Sequence, residues 1–96
     1  MPTYVALWNY SDQSVQDVKA VTAKAETAKM IESMGGKFIA GYQLAGPYDG
    51  VVIAEFSDDE ACAAAALASC GRLGIRTITM RAFDHEQFHR ILDMLP

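Results

Sequence analysis

Along this chain the spacing of apolar residues changes period several times, and each change marks an element. From Thr3 to Tyr10, TYVALWNY, the period is two: Val5 and Leu7 point one way, Tyr4, Ala6 and Trp8 the other. Both sets are largely apolar, so the pattern predicts a strand covered on both faces. Ser11 and Asp12 are good helix N-caps, and from there to Met34 the chain reads as helical, with Ala25, Ala28, Ile31 and Met34 recurring on one face. Gln13 to Val21, richer in Val and Thr, reads as a separate short turn. Gly35-Gly36 ends the helix, one of the two supplying the left-handed cap. Phe38 to Leu44 and Val51 to Phe56 are rich in aromatic or β-branched residues and flank Gly46-Pro47-Tyr48-Asp49-Gly50. That is a β-hairpin signal. Ser57 to Glu60 fits a capping box, with Ser57 as the cap. The alanine-rich helix that follows stops at Gly71 or Gly74. Ile75 to Phe83 alternates again: Ile75, Thr77, Thr79, Arg81 and Phe83 share one face, Arg76, Ile78, Met80 and Ala82 the other. Asp84 caps a last helix with Phe88, Ile91, Leu92 and Leu95 on its stripe.

The order β-α-β-β-α-β-α, with right-handed crossovers, implies a ferredoxin-like α+β fold: a four-stranded antiparallel sheet with its two long helices on one face. The first and third strands are expected at the centre, running parallel. Trp8 is expected on the face away from the helices, and covering that face with a second subunit is the simplest arrangement.

Composition narrows the function classes. The 96 residues make one domain, 1–96, small enough that a partner subunit adds needed burial. The net charge is −4 and no Lys/Arg cluster occurs, which argues against nucleic acid. No apolar run approaches a membrane span. No basic n-region precedes an apolar stretch, so a cytoplasmic protein is expected. Cys62 and Cys70 lie on one helix about 12 Å apart along its axis, too far for a mutual disulfide. They read as small buried hydrophobes in a reducing compartment.

His85-Glu86-Gln87-Phe88-His89 matches H-E-x-x-H, which on a helix places two imidazoles and a glutamate together. The chain has 2 histidines in all, so a third imidazole is lacking, and the match opens a short helix rather than lining a cleft. An exposed helix face is expected there, without metal or cofactor. No phosphate loop, nucleophile elbow or Cys-x-x-Cys pair occurs.

The set Tyr4-Val5, Asn9, Gly35-Gly36-Lys37, Gly46-Pro47-Tyr48-Asp49, Glu55 with Asp58-Asp59-Glu60, Arg76-Thr77 and Arg81-Ala82-Phe83 resembles the GYD domain family from end to end. These are small bacterial proteins, and the resemblance implies a dimeric α+β barrel. The family brings no activity to transfer. Gly41, Gln43 and Gly50 stand where bulkier apolar or aromatic residues are expected, a difference that widens a pocket or weakens an interface.

The candidate ligand residues are Trp8, Asn9, Tyr42, Tyr48, Asp49, Glu55, Thr79 and Arg81. Asn9 and Glu55 are expected to end adjacent parallel strands. Glu55 is expected to find Arg81 or Asn9 as partner, either as a structural pair or in a polar-ligand pocket. Tyr48 and Asp49 read as turn structure, and Trp8, Phe38 and Tyr42 as core, interface or an aromatic-lined cavity between sheets. The leading expectation is a homodimer or higher homo-oligomer that binds a small apolar or aromatic metabolite. The alternatives are a cofactor-independent oxygenase or isomerase, by fold analogy alone, and a purely structural oligomer component.

Overall fold

A computed structural model describes residues 1–11 and 24–96. The elements are β1 (Thr3–Tyr10), α1 (Lys24–Ser33), β2 (Lys37–Gln43), β3 (Gly50–Glu55), α2 (Asp59–Leu73), β4 (Ile75–Ala82) and α3 (His85–Leu92). The sheet order is β2-β3-β1-β4, with every neighbouring pair antiparallel. β1 and β3 are central as expected, but they run antiparallel, not parallel. The hairpin turn reverses β3 relative to β2, and the crossover has already made β2 co-directional with β1.

The helix ends follow local chemistry. Gly35 takes φ 82°, and the Gly36 amide donates to the Ile31 carbonyl at 2.9 Å, a Schellman closure. Gly74, at φ 65°, ends α2. The cap at the start of α2 lies one residue later than the sequence suggests. Asp58, not Ser57, accepts from the Ala61 amide, at 2.8 Å. The reason is that the Phe56 amide still donates to the Pro2 carbonyl at 3.1 Å, so the extended chain runs on past β3 before it turns. The expected cap at Asp12 and the turn from Gln13 to Val21 lie outside the described residues.

Both long helices cover one face of the sheet. Tyr4, Ala54 and Phe56 pack there against Ile31 of α1 and Cys62 and Ala65 of α2. The Tyr4 and Phe56 rings meet edge to face, with centroids 6.0 Å apart. Each large apolar side chain buried here stabilises the fold by about 1.5–3 kcal/mol. Met30, absent from the predicted stripe, is buried as well. Cys62 is buried, but Cys70 is exposed, contrary to expectation; both are free thiols.

Trp8 also lies on the helix side, not on the face away from it. It shares that face with Tyr4 and is only 7% exposed. The indole lies across Gly50, its register partner in β3. Gly50 therefore does not widen a pocket: the space its missing side chain leaves is filled by Trp8. The far face carries Val5, Leu7, Val51 and Ile53 on the central strands, with Ile78 and Met80 on β4. Among the described residues no helix covers it.

Gly50→Ala tests this contact. A methyl group there would collide with the indole ring, and overpacking of this kind costs about 1–3 kcal/mol. The urea midpoint should fall accordingly; an unchanged midpoint would show that the ring is not held against the strand.

Candidate functional site

β2 is an edge strand, and its register slips between Phe38 and Ala40. That slip accommodates Ile39 as an extra residue and reverses the alternation. Phe38, opposite Ala54, and Gly41, opposite Val52, both face the helices; Tyr42, opposite Val51, belongs to the far face. Plain alternation would have put Phe38 and Tyr42 on one side.

Phe38 and Gly41 border a cleft of about 210 Å³ beside β2. Among the described residues its lining also includes Trp8, Thr27, Val52 and Gln43, with Tyr42 and Val51 from the far-face set. Trp8, Thr27 and Val52 also line a second void of about 60 Å³ under the helices. The Trp8 ring meets Tyr10 edge to face at 5.1 Å, and the Tyr10 hydroxyl donates to Gln43 Oε1 at 3.2 Å. So the cleft has an aromatic and aliphatic wall, with an amide and a hydroxyl at its border. Of the three departures from the family pattern, Gly41 and Gln43 do line a pocket.

Asn9 and Asp49 do structural work beside it. The Asp49 amide donates to Asn9 Oδ1 at 3.0 Å and to the Trp8 carbonyl at 2.9 Å. Asp49 Oδ2 in turn accepts from the Tyr10 amide at 2.9 Å. The Leu44 amide closes the turn onto the Asp49 carbonyl at 2.8 Å. Asp49 thus ties the hairpin turn to the end of β1. Tyr48 is half-buried in the same turn.

Glu55 is in neither candidate group. Its partners across the sheet are Thr3 and Lys37, while Arg81 pairs with Tyr4. Neighbouring positions of β1 point to opposite faces, so Glu55 and Arg81 are separated by the sheet and do not pair. Asn9 sits at the other end of β1, opposite Arg76. With β1 and β3 antiparallel, Asn9 and Glu55 cannot meet.

Thr79 and Arg81 instead join residues that the spacing of the sequence does not single out. Together with Tyr4, Asp59, Cys62 and Ala63 they line a recess of about 290 Å³ at the start of α2. The Tyr4 hydroxyl donates to Asp59 Oδ1. The Arg81 guanidinium sits 4.9 Å from the Phe83 ring centre and 5.9 Å from that of Tyr4. The bond to Asp59 pushes the Tyr4 phenol up to about 12, helped by desolvation. Burial, and then the Asp59 charge, push the Cys62 thiol up as well. Both groups therefore stay protonated at neutral pH, which suits neither a nucleophilic thiolate nor a phenolate base. Asp59 is the helix residue that sequence reasoning passed over. Its signal was only membership of the acidic start of α2, which dipole and capping effects already explain.

His85 and His89 lie exposed on α3. Among the described residues no group of three or more His, Cys, Asp or Glu side chains is placed to hold a metal ion.

The Tyr4 arrangement has a pH signature. A phenol raised from 10.0 to about 12 keeps its folded-state advantage below pH 10 and loses it as the pH climbs through 12. Phenolate absorbance should show tyrosine titration extending to about pH 12, with Tyr10 also raised by burial, and Asp59→Asn should bring the latest part of it down. A variant curve identical to that of the parent would contradict the bond.

Comparison with known proteins agrees with this architecture. Among solved structures the chain is similar to the leucine response regulatory protein LrpA of Mycobacterium tuberculosis, with a TM-score of 0.60 at 12% identity. That alignment covers 86% of this chain and 51% of LrpA, so the chain spans about half of that protein. At this identity the likeness speaks to the fold alone. No characterised protein matches in a search by sequence. A family model for the GYD domain matches residues 4–92, nearly the whole chain, and the protein belongs to the GYD domain family.

Proposed function

We propose that this protein is a homodimeric binding protein that takes a small apolar or aromatic metabolite in the cleft beside β2. The observation that carries the reading is the lining of that cleft: Trp8, Phe38 and Val52 form apolar walls, and Gln43 and Thr27 offer a few polar groups for orientation. Its volume of about 210 Å³ suits a molecule built on a single ring or a short branched chain. The described lining residues include no carboxylate, imidazole, amine or thiol side chain, which supports binding over proton-transfer catalysis. The similar fold of LrpA belongs to a protein named for its response to leucine, an apolar metabolite of this size.

The dimer in this proposal joins the two far sheet faces. Ile78 and Met80 on that face are 50% and 44% exposed, and Val5, Leu7, Val51 and Ile53 beside them are half-exposed. An apolar sheet face that no described helix covers is a place where a second subunit would add burial. Lys37, Thr3 and Glu55 at one end, and Asn9 and Arg76 at the other, give it the polar rim of an interface.

Two measurements test the proposal. Light scattering at micromolar concentration should give at least twice 10.4 kDa; a monomer at that concentration would overturn the dimer. Trp8 is the sole tryptophan and borders the cleft, so its fluorescence reports occupancy. Titration with leucine, indole, phenol and benzoate should produce a saturable change with at least one of them. Phe38→Ala should weaken that binding by about tenfold or more, a loss of roughly 1.4 kcal/mol. No saturable change with any of the four, by fluorescence or by calorimetry, would remove the cleft from consideration.

A further inference from the structure

Thr79 and Arg81 face the helix side of the sheet, yet both are exposed. They sit beside Ala6 and Tyr4 of β1, at the end of β4 that α2 leaves open. The result is the recess of about 290 Å³ whose other walls are Asp59, Cys62 and Ala63. It lies at the Thr3 end of β1. Ser11, the last described residue before α1, is at the opposite end, where its amide donates to the Gly74 carbonyl at 3.0 Å. β1 has 8 residues and spans roughly 26 Å, so the two ends are well apart.

Two opposite charges meet in this recess without pairing. The Arg81 guanidinium stands over the rings of Phe83 and Tyr4, 4.9 and 5.9 Å from their centres. Among the described residues it makes no ion pair with a carboxylate. Aromatic rings engage the face of a guanidinium and leave its N–H edge, which matches the two oxygens of a carboxylate. Asp59 is held from the other side, where the Tyr4 hydroxyl donates to its Oδ1. A carboxylate accepts several hydrogen bonds, so Asp59 has capacity left for another donor.

This pairing of charges selects against singly charged ligands. A carboxylate drawn by Arg81 meets the charge of Asp59, and an amine drawn by Asp59 meets that of Arg81. A molecule that carries both groups a short distance apart satisfies both. Behind the recess lies the void of about 60 Å³ under the helices. It shares Tyr4, Cys62 and Thr79 with the recess and adds Ala6, Ala65 and Ala66. A void this small, walled there by methyl groups, takes a side chain of only a few carbons. We propose that the recess binds an α-amino acid with a short apolar side chain, its carboxylate on Arg81, its ammonium on Asp59 and its side chain toward the alanine-lined void. Thr79 supplies a hydroxyl beside the carboxylate. Among the described residues this site shares no lining with the cleft beside β2, and it stands without a second subunit.

Calorimetry with L-alanine and L-valine is the test, and at least one of them should give a saturable heat. Isovalerate keeps the valine side chain and lacks the ammonium; isobutylamine keeps it and lacks the carboxylate. Each should bind more weakly than L-valine by about tenfold or more. Arg81→Gln removes the guanidinium at an exposed position, and Asp59→Asn leaves an oxygen for the Tyr4 hydroxyl. Either variant should lower the affinity by about tenfold or more, with its circular dichroism spectrum unchanged. No saturable heat with either amino acid overturns the site. Equal binding of isovalerate or isobutylamine overturns it too, as does undiminished binding by Arg81→Gln. Binding lost in Phe38→Ala but kept in Arg81→Gln assigns the ligand to the cleft beside β2 and overturns the recess while leaving the cleft standing.

Discussion

β1 is hydrogen-bonded on both edges, to β3 and to β4, and the rest of the molecule depends on that double pairing. A strand held on two sides has no freedom of register, so each of its residues is assigned a face. Tyr4, Ala6 and Trp8 go under the helices; Thr3, Val5, Leu7 and Asn9 go to the far side. The partners on β3 and β4 inherit the same division. Through it Arg81 is delivered to the Tyr4 ring and Glu55 is kept away from both. The loop bonds at the end of β1 reinforce the register: Asn9, Tyr10 and the Trp8 carbonyl all engage Asp49. The Gly-Pro-Tyr-Asp turn is thus less a self-contained turn than a lock between the hairpin and the central strand.

The two faces that β1 defines have opposite fates. On one side Ile31, Cys62 and Ala65 close over Tyr4, Ala54 and Phe56 in a small two-layer core. Small side chains matter here. Alanine on α2 lets the helix approach the sheet, and Gly50 leaves room for the indole of Trp8 to lie flat on β3. The cleft opens where this packing thins out, beside Gly41 at the edge strand. On the other side an apolar sheet surface remains uncovered among the described residues, and the last helix stands with its own apolar stripe unfilled.

The polar recess at the start of α2 shows how the same sheet register shapes chemistry. Tyr4 gives its proton to a hydrogen bond with Asp59, and the electrostatic effect keeps the phenol neutral far above physiological pH. Arg81 lies near the Tyr4 and Phe83 rings and, among the described residues, makes no ion pair with a carboxylate. In this recess the Tyr4 phenol and the Cys62 thiol both hold their protons more tightly than usual.

Much of this was legible in the amino-acid sequence, and the reason is local. Strand alternation, the cap at Asp84, and the glycines after α1 and α2 each act within a few residues, so the seven elements and the family likeness could be read directly. The division of β1 into two faces was legible too. What the sequence could not reveal was which face met the helices, because both sets of residues are apolar; Trp8 was assigned to the wrong one. It could not show the slip at Ile39, since one extra residue in an edge strand leaves no mark in composition, yet it separates Phe38 from Tyr42. The pairing of Glu55 with Arg81 failed for the same reason: oppositely charged residues on one sheet meet only if register and direction agree. Tyr4 and Asp59 are 55 positions apart, and no local rule links them. The sequence by itself determined the type and order of the described elements and, to within a residue or so, most of their ends, because those limits are set by backbone chemistry over short spans. Only the tertiary structure decided which side chains share a face, because that depends on pairing between strands distant in the chain.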